Sequence, residues 1–400
     1  MNLFKKSYCR IFQSAFYMII PILPYREPQI FTDVTEVPSF LRKKQLDRVL
    51  LVTDETVRSL GITKQLEDAA AKEKIVLTVY DRTVPNPTSE NVEESRTLYL
   101  QNDCQAIIGF GGGSSIDCAK AVGARIARPK KSLKKMKGIL KVLRKTPLII
   151  AIPTTAGTGS ETTIASVITN SETRHKYPIN DFCLIPSYAV LDPKVTRGLP
   201  KNITATTGMD ALTHAVEAYI GRSTTKKTRR EALEATALIF ANLETCFNNG
   251  DDMQARANML KASYLAGCAF TKSYIGYVHA VAHSLGGKYN VPHGLANAIL
   301  LPIVLEAYGS TAHKKLRKMG IAAGVATDSD SNREGAVKFI NAIKEMKRTF
   351  NIPDTISCVQ KDDIISLSRC ADKEANPLYP VPKLMNAHEL EQFYYGVMEK

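Results

Sequence analysis

Four short apolar runs, each followed by a helix-length segment, constrain the fold of this chain more than any other feature. They are Val49-Leu-Leu-Val-Thr53, Ile75-Val-Leu-Thr-Val-Tyr80, Ala106-Ile-Ile-Gly-Phe110 and Leu148-Ile-Ile-Ala-Ile152. A run this short and this apolar suits a strand buried on both faces. Helix-length segments between such strands are the crossovers that parallel pairing requires, so the pattern implies βαβ units and a largely parallel sheet. After Asp192-Pro193 the texture changes to helical periodicity, and strand-like runs nearly vanish. Thr228 to Phe247, for example, holds neither Gly nor Pro and is rich in Ala, Leu and Glu. A boundary near Arg197-Gly-Leu-Pro200 divides an α/β unit over 1–197 from an all-helical unit over 198–400.

Composition excludes several classes. Lys and Arg outnumber Asp and Glu by 53 to 39, giving a formal charge of +14. Much of that excess sits between Arg125 and Lys145, a run without aromatic residues and so without stacking platforms for single strands. No helix-turn-helix, zinc-finger or RNP pattern accompanies it, so no nucleic-acid partner is expected and the run reads as a solvated loop. The eight cysteines include no CxxC pair, which argues against a thiolate metal site or a secreted disulfide framework and fits a reducing cytoplasm. Near the start, Lys5, Lys6 and Arg10 precede an apolar stretch from Ile11 to Leu23. Gln13 and Ser14 interrupt it, Pro21 and Pro24 break it, and it is too short to span a bilayer. It is expected to be a packed element, with no membrane partner.

Two polar loops follow predicted strands. Gly109-Phe-Gly-Gly-Gly-Ser-Ser-Ile-Asp117 leads into an amphipathic helix. Without Cβ atoms the backbone can turn tightly and approach a pyrophosphate, which the helix N-terminus attracts. Pro153-Thr-Thr-Ala-Gly-Thr-Gly-Ser-Glu161 follows the next strand. The spacing is not the usual G-x-G-x-x-G, yet two such loops at strand C-termini make a dinucleotide cradle, since ligands of open α/β sheets bind there. Asp54, just past the first run, could accept from a ribose hydroxyl and repel a 2′-phosphate, favouring NAD over NADP. It could equally cap the helix that follows.

The second half concentrates the histidines. Asp210 and His214 are four apart, as are His279 and His283, and His293 follows in Pro292-His-Gly294. Residues four apart on a helix share one face. Burying so many polar groups without a shared partner would be costly. One carboxylate with several imidazoles and no thiolate suits Fe(II) or Zn(II). His175, His313 and His388 stand alone and read as ordinary surface or core residues.

On these motifs the chain resembles the iron-containing (group III) alcohol dehydrogenases from about Pro24 onward. The matching segments are Val52-Thr-Asp54, Asn86-Pro-Thr88, Gly111-Gly-Gly-Ser114, Pro153 to Glu161, Gly208-Met-Asp-Ala-Leu-Thr-His-Ala215, and Gly276 to Gly287 with Pro292-His-Gly294. The resemblance implies a Rossmann-like N-terminal NAD-binding domain with a parallel sheet and an all-α C-terminal metal-binding domain. It puts metal ligands at Asp210, His214, His279 and His293, with Fe2+ as the metal and Zn2+ as an alternative. It leaves His283 near nicotinamide and substrate as the catalytic proton relay. It puts cofactor contacts at Asp54, Asn86, Gly112, Gly113, Ser114, Asp117, Thr154, Thr155, Thr158, Thr163 and Lys176.

The implied reaction is hydride transfer between NAD(H) and a small primary alcohol, diol or aldehyde, by a homodimer or higher homo-oligomer. Two alternatives share the fold: an NAD- and metal-dependent lyase of the dehydroquinate synthase type, and a non-catalytic NAD-binding protein. Lys272, in Phe270-Thr-Lys-Ser-Tyr274, sets a long cation in a stretch that helps line the family's substrate pocket.

Overall fold

The structure is a computed structural model that describes residues 1–172 and 175–399. The chain forms two compact units, Pro24–Leu199 on one side and Met1–Leu23 with Pro200–Lys400 on the other.

In the first unit the strands are β1 (Gln29–Phe31), β2 (Arg48–Val52), β3 (Val76–Tyr80), β4 (Ala106–Gly111), β5 (Gly138–Ile139), β6 (Leu148–Pro153), β7 (Ala165–Thr169), β8 (Lys176–Asn180) and β9 (Tyr188–Val190). Among the described residues, six of them form a sheet ordered β1-β9-β6-β4-β2-β3, with every neighbouring pair parallel. The four apolar runs are its β2, β3, β4 and β6. Leu50, Val52, Ile107 and Ile149 pack into the core on one face, while Val49, Leu51, Ile108 and Ile150 pack on the other. Fully burying each such side chain contributes about 1.5–3 kcal/mol. β3 lies at the sheet edge and is only partly covered.

Register aligns the strand ends. Val52 pairs with Gly109, and Gly111 pairs with Pro153, so β2, β4 and β6 finish side by side. Their following loops begin at one edge of the sheet. A smaller sheet, β5-β8-β7, joins β7 and β8 antiparallel.

The basic run from Arg125 to Lys145 is more than a solvated loop. It contains a short helix, Leu133–Met136, and β5, and its Leu133, Met136 and Val142 are buried in the core. Scattered apolar residues anchor it while the intervening lysines Lys134, Lys135 and Lys141 stay exposed.

The second unit is helical. Lys201–Ile220 is buried over most of its length and packs on Lys226–Asn248, Met253–Ser273 and His293–Tyr308. Thr225 and Thr228 form a reciprocal cap at the start of Lys226–Asn248, satisfying amides that an open helix end leaves unpaired. The helix Leu3–Ile19 groups with this unit, whereas chain order had put it with residues 1–197. Its side chains explain the grouping: Arg10 donates to the carbonyls of Val381 and Pro382, and Gln13 donates to those of Pro377 and Tyr379. Among the described residues, no helix is long and apolar enough to cross a membrane.

Candidate active site

In the helical unit, Asp210 and His214 lie one turn apart on Lys201–Ile220, and His279 opens the buried face of Tyr277–Tyr289. Asn290 takes a left-handed conformation that ends the latter helix, and His293 begins the next. Gly294 lets that helix come close: a Cβ there would lie 2.5 Å from the Thr206 carbonyl oxygen, beside Asp210. The result is convergence. One ligand atom from each of Asp210, His214, His279 and His293 lies within 4.8 Å of the others. The first three residues are buried and His293 is half-buried. His214 is sandwiched by rings, with Phe270 at 4.2 Å and His279 at 4.6 Å between centroids.

One side-chain amide reaches three members of this cluster. The Asn297 amide nitrogen lies 2.7 Å from Asp210 Oδ1 and 3.1 Å from the Nε2 atoms of His279 and His293. With its Nδ1 held by Glu217, the His279 ring turns Nε2 to this amide, and His293 Nε2 lies 3.5 Å from Asp210 Oδ1. Asn297 Oδ1, buried, has no hydrogen-bond partner. An unmet buried polar group costs about 1–3 kcal/mol, so this arrangement favours a cation among the ligand atoms.

The tautomer is set from behind. Glu217 Oε2 lies 2.6 Å from His279 Nδ1 and accepts from the Gly276 amide, while Oε1 accepts from the Val278 amide. Burial pushes Glu217 up to about 7. Burial, then the neighbouring His214, His293 and His283, hold His279 well below the usual histidine range. A neutral imidazole with Nδ1 engaged presents its Nε2 lone pair to a metal.

His283 stands apart from the four converging ligands. Its ring is exposed, 5.8 Å from the His279 ring and 5.2 Å from that of His293. Its Nδ1 lies 2.6 Å from Glu374 Oε1, which also accepts the Tyr379 hydroxyl at 2.7 Å. Burial opposes ionisation of Glu374, but His283 and these hydrogen bonds outweigh it and hold the carboxyl below its ordinary range.

In the α/β unit the proposed cofactor residues are tied to one another. Gly112 caps the helix Gly113–Ala127 without a side-chain bond, leaving first-turn amides for an anion. A Cβ on Gly113 would meet Thr158 at 3.0 Å, so the two loops touch here. Gly112 faces Thr155 more openly, and the Thr154 amide donates to the Gly111 carbonyl. Ser114 Oγ accepts from the Asn86 amide, and Asn86 Oδ1 accepts from Lys176 Nζ at 2.6 Å. Asp117 accepts from Ser160 Oγ and from the Val167 amide, and burial raises its carboxyl. Asp54 caps the helix Glu55–Ser59 through the Val57 amide, and its other oxygen accepts from Ser115. Thr163 Oγ1 accepts from Lys120, a fully buried amine that burial lowers to about 8.

Known proteins divide along the same lines. The iron-containing alcohol dehydrogenase profile matches residues 30–193, and the Fe-containing alcohol dehydrogenase family C-terminal profile matches 204–397. This chain belongs to the iron-containing alcohol dehydrogenase family. It is 35% identical to the 1,3-propanediol dehydrogenase of Citrobacter freundii over 383 residues, covering 95% of this chain and 98% of that one. It is 32% identical to the NAD-dependent methanol dehydrogenase of Bacillus methanolicus over 340 residues, 84% and 89% of the respective chains. The crystal structure of a 1,3-propanediol oxidoreductase superposes with a TM-score of 0.88 at 33% identity, covering 93% of this chain and 98% of that one. The chain is therefore an alcohol and aldehyde oxidoreductase, and neither the lyase nor the non-catalytic alternative is favoured.

Within this family member, sequence reasoning missed three residues around the cluster. Glu217 follows His214 by three and Asp210 by seven, so helical spacing already put it on their face. Asn297 follows His293 by four on the same grounds. Glu374 is 91 positions from His283 and left no such signal.

Proposed function

We propose that this chain transfers a hydride between NAD(H) and a small primary alcohol, diol or aldehyde, with Fe2+ held by Asp210, His214, His279 and His293. Zn2+ suits the same donors. The observation that carries this reading is the convergence of four ligand atoms, one from a carboxylate and three from imidazoles, at one largely buried point. A divalent metal at that point supplies Lewis-acid polarisation of a substrate oxygen, and the nicotinamide supplies or receives the hydride. The chain's own residues do the rest. Glu217 fixes the His279 ring, and Phe270 stacks on that of His214. Glu374 engages His283 Nδ1, so a substrate proton would pass through Nε2 of that ring. The glycine loop and the Thr154–Thr158 loop cradle the pyrophosphate, while Asp54 faces the adenosine ribose. The named activity of the Bacillus methanolicus relative supports NAD as the dinucleotide.

A homo-oligomer and a reducing cytoplasm are part of the same reading, the second supported by eight cysteines that are all free. The test is anaerobic. Chelated protein should be inactive, and Fe(II) should restore NADH oxidation by a short aldehyde. Equal rates in the chelated and reloaded protein would overturn the proposal.

A further inference from the structure

The helix Leu3–Ile19 is amphipathic in reverse. Its polar side is turned into the protein: Lys5 pairs with Asp372 at 2.8 Å, and Arg10 and Gln13 donate to carbonyls of the 377–382 segment. Cys9 and Ile20 are buried on that side, and Phe16 meets Tyr274 edge-on. Its apolar side faces out. Phe4, Tyr8, Ile11, Ala15 and Met18 recur at alternating spacings of four and three, and Ile22 continues the series just past the helix end. The large members of this stripe are between 54% exposed, at Tyr8, and 84%, at Phe4. Leu3, Phe12 and Ile19 widen it. Neither family profile reaches this segment, since the first begins at residue 30.

We propose that this stripe is a self-association face that packs against the same helix of a second copy of the chain. The inference deepens the expectation of a homo-oligomer by naming the surface. Alternating four–three spacing is the seam along which two helices interlock. At roughly 150–250 Å² for each large aromatic side chain, the stripe and its flanks expose on the order of 1,000 Å² of apolar-residue surface. That exceeds the few hundred Å² usual for a monomer's largest patch and meets the roughly 800 Å² per partner of a stable interface. The stripe itself carries no charge, so one copy does not repel another across it. An anionic lipid surface fits less well. Helices that bind one array several cations around the apolar face, whereas Lys5 and Arg10 are engaged by Asp372 and by the 381–382 carbonyls, which leaves Lys6 as the one exposed cation of the helix.

The test compares the mass of the full chain with that of an Ile11→Glu/Met18→Glu variant by light scattering after gel filtration. Both positions are exposed in the single chain, so the circular dichroism spectrum should barely change. A Tyr8→Lys variant, run alongside, guards against a folding defect in the double substitution. The expected result is a parent assembly of twice the variants' mass, with turnover retained. A monomeric parent would overturn both the oligomer and the face. A multimeric parent whose mass both variants keep would overturn the face alone. Flotation of the parent with phosphatidylcholine–phosphatidylglycerol vesicles, lost in the variants, would replace the second copy with a membrane.

Discussion

The two units prepare their sites in opposite ways. In Pro24–Leu199 the proposed cofactor residues are already held by one another or by neighbours: Asn86 by Ser114 and Lys176, Asp117 by Ser160, Asp54 by Ser115. A ligand arriving there finds a cradle whose shape is held by its own hydrogen bonds. In Pro200–Lys400 one carboxylate and three imidazoles converge, and one amide nitrogen lies within 3.1 Å of three of them. Such a donor set suits a divalent cation. A dinucleotide site can thus be built from polar groups held by their neighbours, whereas a metal site gathers several donors on one point.

The largest effect should come from emptying the second site alone. His279→Ala should lose its metal and about a thousandfold in turnover, equivalent to roughly 4 kcal/mol of barrier. NAD binding, followed by calorimetry, should persist. Loss of both would break the contrast, because the two sites would then depend on each other for assembly.

A smaller effect should come from Glu217→Gln, which leaves all four ligands but loosens the ring of His279. Metal affinity, measured by competition with a chelator, should fall about tenfold to a hundredfold. Unchanged affinity would reduce Glu217 to a buried carboxylate that ties down two amides.

The smallest effect sharpens the first site. Asp54 both caps a helix and is proposed to face the ribose, and Asp54→Asn separates these roles because Asn caps as well as Asp. The melting temperature should hold while NADPH-supported turnover rises about tenfold. If the NADH preference is unaltered, Asp54 is only a cap.

How much of this was legible in the sequence follows burial. β2, β4 and β6 are covered on both faces and so read as apolar runs. β7 and β8 are covered on one face, alternate through residues such as Lys176 and Pro178, and gave no run to see. β1 and β9 are three residues each, too short for any period. Asp210 with His214 was legible as a pair because helical spacing of four is local, and so was Glu217 on the same face; the same spacing joins His279 to His283, and only the family resemblance singled out His293 instead. Glu374 and the docking of Leu3–Ile19 on the 377–382 segment were not legible. Both are contacts between distant parts of the chain, which no local pattern encodes.

In the proposed site His293 holds the metal while His283, whose ring lies 5.2 Å from that of His293, does not. Metal content of His293→Ala and His283→Ala, purified and reloaded with Fe(II) side by side, tests it most directly. His283→Ala should bind about one metal per chain, as the parent does, and turn over more slowly, while His293→Ala should bind almost none, because a catalytic metal keeps a position open for substrate. Full metal in His293→Ala, or its loss from His283→Ala, would reverse the two assignments.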